Sequence, residues 1–321
     1  MNNAPSVWTQ RRTAVARNAK NAVKIAIDHR GQRERLLREY FFTLSRRFTP
    51  MLAVDSGDLR FHVSTAEEEG RIIFGERGLD ERAMADLVAA LAEHTGVAEP
   101  LRDKVLLDIG GNIGTTSLYA VRRYGARAAI AVEPAPSNLR LLRLNLHENG
   151  ATDDVRILEL ALSDRDGTVQ LELSPENSGD HRVRTGAASA APGLIGEERR
   201  DLLSVRACRL DTLAQEGEID ADALGLIWMD VQGHEGHVLA GADAVLARGI
   251  PVVLEYWRYG LDRAEGLELL HDSIRRHFSR VVDMGPPWSD EPPTVIAAAD
   301  VATLATRYDR PDVFADLLLL P

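Results

Sequence analysis

The chain has 321 residues, a net charge of −11 from 38 basic and 49 acidic side chains, and one cysteine, Cys208. A single cysteine excludes an intrachain disulfide and a thiolate zinc site, and fits a packing role in a reducing compartment. With 45% hydrophobic and 27% charged residues, no run of roughly 18 apolar residues and no secretory leader pattern, the expectation is a cytoplasmic globular protein.

The charge is unevenly spread. Residues 1–50 carry eleven Lys/Arg and three acids, leaving 27 basic against 46 acidic residues for the rest. An acidic body argues against nucleic acid as the substrate. Residues 7–48 read as helices interrupted near Gly31. Leu37, Phe41, Leu44 and Phe48 fall at steps of four, three and four, with Leu36 and Tyr40 alongside. Such an apolar face suits docking, or a homodimer through the N-terminal helices. The stretch LRFHVSTAEEEGRIIFG reads as two short strands. GLDERAMADLVAALAEHTG reads as a helix capped at Asp80 and stopped at Gly96.

From about residue 100 strands and helices alternate. Strands are expected at 104–109, 127–132, 155–160, 168–173, 225–230, 250–256, 278–283 and 313–319. Helices are expected at 114–124, 136–149, 235–247 and 261–277. This order implies an α/β fold whose parallel sheet is covered on both faces, with ligands beyond the carboxyl ends of the strands. The segments 184–198 and 285–294 read as loops.

The stretch VLLDIGGNIGTTSLYA runs strand, glycine loop, helix. A dinucleotide loop has the spacing G-x-G-x-x-G for a pyrophosphate on helix N–H groups. Here the spacing is G-G-N-I-G, and Asp108 stands directly before it, where a carboxylate would repel pyrophosphate. It suits a ligand with a positive amino group, such as S-adenosylmethionine. The next strand ends in Glu133, 25 residues on, where an acid can accept both ribose hydroxyls. The donor contacts are therefore expected from Asp108, Gly110, Gly111, Asn112, Gly114, Thr115, Glu133, Pro134 and Asn138, with Ala161, Leu162 and Asp164 beside the adenine and Asp230 near the sulfonium.

In order, VLLDIGGNIGTTSLYA, VEPAPSNLRLLRLNL, ALSDRDGTVQLEL, RLDTL and IWMDVQGHEGHVLAGA resemble the FkbM-type methyltransferase family over roughly residues 70–285. The resemblance implies a Rossmann-like class I methyltransferase fold, with a seven-stranded mostly parallel sheet, helices on both faces and S-adenosylmethionine as cofactor. It also implies methylation of a hydroxyl on a sugar, glycolipid or polyketide-type natural product. Gly111 stands where that family often has alanine, and Gln232 where it often has glutamate. Residues 100–321 would form this domain. Residues 1–99, a helical and short-strand segment, would cover the acceptor or dimerise.

Methyl transfer to a neutral hydroxyl needs in-line positioning and a base. The loop after strand 225–230 offers Asp230, Gln232, His234 and Glu235. His234, with a near-neutral intrinsic pKa, is the expected base and His181 the runner-up, with Asn177, Asp180 and His181 expected at the acceptor. Asp164, Asp230 and Glu255 could together hold Mg²⁺, a reading that the loss of one carboxylate at Gln232 does not favour. The alternatives are N-methylation of a small-molecule amine and a non-catalytic adenosyl-binding protein. Trp228, Trp257 and Trp288 are equally credible as pocket lining and as core.

Overall fold

The computed structural model describes residues 30–78, 81–186, 193, 197–289 and 291–321. Two compact units divide between Leu79 and Asp80. The boundary falls before 100 because the helix Glu81–Thr95 packs within the second unit, with Met84, Leu87 and Leu91 buried.

The first unit contains α1 (Arg30–Ser45), the hairpin β1 (Met51–Ser56) and β2 (Leu59–Ser64), and α2 (Glu68–Glu76). The second expected strand is instead α2. Glu68 and Glu69 open its first turn, which suits the helix dipole, and Ile73 is buried. Helix α1 buries Phe42 against Phe74, ring centroids 5.7 Å apart, while Leu37, Phe41, Leu44 and Phe48 remain exposed. Residues 7–29 of the expected helical run, and Asp80 as a cap, lie outside the described residues.

The second unit begins with α3 (Glu81–Thr95) and continues β3 (Val105–Ile109), α4 (Thr115–Arg122), β4 (Ala128–Val132), α5 (Pro136–Glu148) and β5 (Val155–Leu158). After β6 (Ala161–Leu162), β7 (Gly167–Leu173), β8 (Arg182–Arg184) and β9 (Asp201–Cys208) come α6 (Leu210–Gln215) and β10 (Leu224–Met229). Then follow α7 (Glu235–Ala240), α8 (Asp243–Leu246), β11 (Val252–Tyr256), α9 (Arg258–Arg263) and α10 (Leu267–His277). The chain closes with β12 (Arg280–Asp283), β13 (Thr294–Ala297), α11 (Leu304–Arg307) and β14 (Ala315–Leu320).

The main sheet has the order β13-β12-β14-β11-β10-β3-β4-β5. It has eight strands among the described residues rather than seven, because β13 pairs with β12 at the edge. Strands β11, β10, β3, β4 and β5 are parallel, and β14 runs antiparallel between β11 and β12. Strand β3 is buried at all five positions, as expected for the centre of a sheet covered on both faces.

A second sheet, β6-β9-β7-β8, was not foreseen. It takes the expected strand 168–173, which pairs with β9 and β8 rather than with the main sheet. Buried Cys208 ends β9, consistent with packing. The expected helix 235–247 breaks at Gly241, where a Cβ would lie 2.1 Å from the Ser163 carbonyl oxygen. The expected helix 261–277 is likewise two helices, α9 and α10.

Candidate active site

The site lies beyond the carboxyl ends of β3, β4, β10 and β11. The glycine loop hangs from one acceptor: the N–H groups of Gly110 and Gly111 both donate to the Val132 carbonyl, at 2.9 and 3.0 Å. Asn145 Nδ2 fixes the far side by donating to the Ile113 carbonyl at 2.9 Å. Gly114, at φ +90°, precedes α4, whose first residue Thr115 is buried. Gly110 has φ +88°, and a Cβ there would come within 1.9 Å of the Asp230 carbonyl oxygen. The loop after β3 and the loop after β10 therefore touch backbone to backbone, which only glycine allows.

Asp108 and Glu133 are 1% and 4% exposed. Asp108 Oδ2 accepts from Ser117 Oγ at 2.5 Å. Burial raises its pKa to about 6, against that hydrogen bond. Glu133 Oε2 accepts from the Asn112 N–H at 2.9 Å and Oε1 from the Ala135 N–H at 2.7 Å. Glu133 thus ties the glycine loop to the start of α5. Pro134 is half-buried between them. Asn138, buried on α5, donates from Nδ2 to the Ser178 carbonyl at 3.1 Å. It joins the β4–α5 side to the turn before β8.

Asp230 keeps solvent contact at the tip of β10, while the protein packed around it raises its pKa. Burial is the main cause, a hydrogen bond from Gln232 opposes it, and the charge of Asp180 adds to it. Gln232 Nε2 donates to Asp230 Oδ1 at 2.7 Å and to Glu255 Oε2 at 3.1 Å. Glu235 lies beneath this loop, 0% exposed. Its Oε1 accepts from the N–H groups of Val231 and Gly233 at 3.1 and 3.3 Å, and burial pushes its pKa up to about 7.

Facing the loop is a wall from the second sheet. Arg182 Nη2 pairs with Asp180 Oδ1 at 2.5 Å and Arg182 Nη1 with Glu197 Oε1 at 3.0 Å. Its guanidinium lies 4.5 Å over the Trp257 ring. Arg200 Nη1 donates to the Asp180 carbonyl at 2.6 Å, and Tyr259 donates to Glu197 at 2.8 Å. The charges of Arg182 and Arg200 are taken up by Asp180 and Glu197.

Both histidines expected as bases sit in other roles. His234 is 2% exposed; its Nε2 lies 3.0 Å from Ser163 Oγ, and its ring stacks on His237 at 4.5 Å. Burial, reinforced by His237, lowers its pKa to about 3. A buried histidine of such low proton affinity is a weak base at neutral pH. Its Nδ1 has no hydrogen-bond partner among the described residues. His181 Nδ1 accepts the Ser174 N–H at 3.0 Å, so the neutral ring carries its hydrogen on Nε2, leaving no nitrogen lone pair for an acceptor proton.

Asp164 also departs from expectation. Its Oδ1 accepts from Ser163 Oγ at 3.1 Å, and its Oδ2 lies 3.6 Å from His237 Nδ1. It therefore joins the histidine pair, and among the described residues no three His, Cys, Asp or Glu side chains form a metal-ligating cluster. Ala161 and Leu162 form β6 and pair with Ala207 and Cys208 of β9. Asn177 caps the turn at Ser178 by accepting the Gly179 N–H. Trp228 is buried, Trp257 lies in the wall, and Trp288 is 60% exposed against Phe314. Sequence reasoning passed over Arg182, Glu197, Arg200 and Tyr259, because no spacing links them.

The methyltransferase FkbM domain family matches residues 108–280. The chain is 29% identical over 204 residues to the 2-O-methyltransferase NoeI of Sinorhizobium fredii, covering 59% of this chain and 79% of that one. It is 31% identical over 187 residues to the methyltransferase sdnD of Sordaria araneosa, covering 52% and 71%. Among solved structures, a methyltransferase FkbM from Methylobacillus flagellatus superposes with a TM-score of 0.37 at 17% identity, over 55% of this chain and 37% of that one. Among the described residues no helix is long and apolar enough to cross a membrane. With the family match extending over more than half of its length, this chain belongs to the FkbM methyltransferase family and is a methyltransferase.

Proposed function

We propose that the protein transfers a methyl group from S-adenosylmethionine to a hydroxyl of a small molecule, with Asp230 as the base. When bound, the cofactor supplies a methyl group already activated on a sulfonium. Two buried carboxylates at adjacent strand ends fit this donor. Asp108, held near neutrality by burial, gains from a cationic amino or sulfonium neighbour, and Glu133 can accept from ribose hydroxyls.

The observation that carries the hydroxyl reading is Asp230 itself. It is a carboxylate of raised proton affinity, solvent-accessible, on the loop that touches Gly110. Such a group is a better base than an ordinary aspartate and stands beside the donor loop. The name of NoeI, a 2-O-methyltransferase, supports the same reaction class. The acidic mouth also suits an amine, which favours N-methylation as the second reading. The ¹³C chemical shift of the transferred methyl group, read by NMR, separates an O–CH₃ product from an N–CH₃ one.

The test is calorimetric titration with S-adenosylhomocysteine and, separately, NAD, followed by a screen of hydroxylated acceptors with a labelled methyl donor. Binding of S-adenosylhomocysteine with NAD silent, and label in an O–CH₃ product, is the expected result. Binding of NAD alone would remove the donor assignment. Donor binding without turnover on any acceptor would leave an adenosyl-binding protein.

A further inference from the structure

We propose that Gln232 is a positioning residue: its side-chain amide holds Asp230 ionised and oriented by bridging it to Glu255. The role deepens the reading of Asp230 as the base, and Gln232 acts only through it.

The geometry is specific. Gln232 Nε2 carries two hydrogens, and the two carboxylates at 2.7 and 3.1 Å account for both. The backbone is bent to aim the amide there: Gln232 has φ +56° and Gly233 φ +103°. Glu235 locks that bend through the N–H groups of Val231 and Gly233. Spending left-handed backbone on a glutamine is costly, and the two hydrogen bonds to carboxylates are what the bend secures.

The charges around Asp230 explain why a donor is needed. Asp180 faces it from the wall, Asp108 from β3 and Glu235 from beneath the loop, and each of these acids interacts with it unfavourably. Glu255 lies across the amide. Arg182 and Arg200 stand behind Asp180 and are paired to it. With acids on these sides, an unassisted Asp230 would hold its proton more tightly, and a protonated carboxyl cannot serve as a base. The Gln232 amide counters this without adding a charge. A glutamate at this position would place a third carboxylate between Asp230 and Glu255.

The experiment is a pH titration of the Asp230 carboxyl carbon by NMR, in full-length protein labelled with ¹³C-aspartate and saturated with S-adenosylhomocysteine. The resonance is assigned by its loss in Asp230→Asn. Gln232→Glu keeps the shape of the side chain and removes both donors; Gln232→Leu removes the donors without adding charge. A hydrogen bond to a charged group has the weight of about one pH unit, so both variants should move the midpoint up by roughly that amount, the glutamate further. An unmoved midpoint in folded Gln232→Glu overturns the role, whether or not Gln232→Leu folds. No acceptor takes part in the titration. Failure of methyl transfer would therefore count against the proposed reaction, and failure of the shift against Gln232 alone.

Discussion

The donor end and the acceptor end proposed for the site are built in opposite ways. On the donor side, Asp108, the glycine loop and Glu133 occupy one stretch of 26 residues, and their partners Ser117, Val132 and Ala135 lie in or beside it. On the acceptor side, Asp180, Arg182, Asp230, Gln232 and Glu255 come from a turn, a second sheet and two strand ends. The first is a local cradle in which backbone groups satisfy the acids. The second is a convergence of distant carboxylates, two of them bridged by one amide and one paired with two arginines. Local cradles hold a common ligand; convergent walls adapt to a particular one.

Removing the proposed base should break the comparison most sharply. Asp230→Asn is expected to lower turnover by about 10²–10⁴-fold while S-adenosylhomocysteine affinity stays near that of the wild type. Turnover assayed with labelled donor, beside calorimetry, checks both halves. On the donor side, Glu133→Gln sets an amide NH₂ against the N–H of Asn112 or Ala135. Loss of a charge-assisted hydrogen bond should then weaken S-adenosylhomocysteine binding by about 10- to 150-fold.

Two pH effects sharpen the contrast between buried and working groups. His234 is neutral in the folded state down to about pH 3, whereas in the unfolded chain it titrates near 6.5. Its contribution to stability is therefore present above pH 6.5 and lost as pH falls towards 3. Between pH 6.5 and pH 5 the loss should be about 2 kcal/mol, seen as a falling denaturant midpoint that flattens in a folded His234→Gln variant. Asp108, with its pKa at about 6, should release its proton to solvent when a ligand with a cationic amino group binds beside it. S-adenosylhomocysteine affinity is then expected to rise by up to roughly tenfold from pH 5 to pH 7, with proton release detectable in buffers of different ionisation enthalpy. Asp108→Asn should abolish that dependence.

The smallest effect belongs to Gly111→Ala. A Cβ there meets the Ala131 Cβ at 3.1 Å, a contact a small shift can relieve, and the residue is not at positive φ. Donor affinity should change less than about threefold, below the weight of a single hydrogen bond. Gly110→Ala, by contrast, has no such relief, because the Asp230 carbonyl stands in the way.

These differences follow what sequence can encode over short distances. The parallel strands and the acids that end β3 and β4 were legible, because apolar runs closed by a glycine or an acid are local patterns. Strand β9 was not: its first six positions remain at least partly exposed, so no buried face marked it. The helix in place of a second strand after β2 was missed because Ile72 and Ile73 mimic a strand, while its first-turn acids speak for a helix. His234 was misread for a different reason. Its proximity to Asp230 in sequence says nothing of the turn at Gln232 and Gly233, which sends the next side chain into the core beside Ser163.

The wall that carries Asp180 and Arg182 belongs to the smaller sheet, and it meets the β4–α5 side through the Asn138–Ser178 hydrogen bond. The strands that hold the glycine loop pair with none of its strands. For an engineer this makes it a cassette. On the proposed assignment of the acceptor side, a library confined to residues 174–184 that keeps Ser178 in register is expected to sample new acceptors at constant donor affinity, so selection for product would not have to be repeated for cofactor.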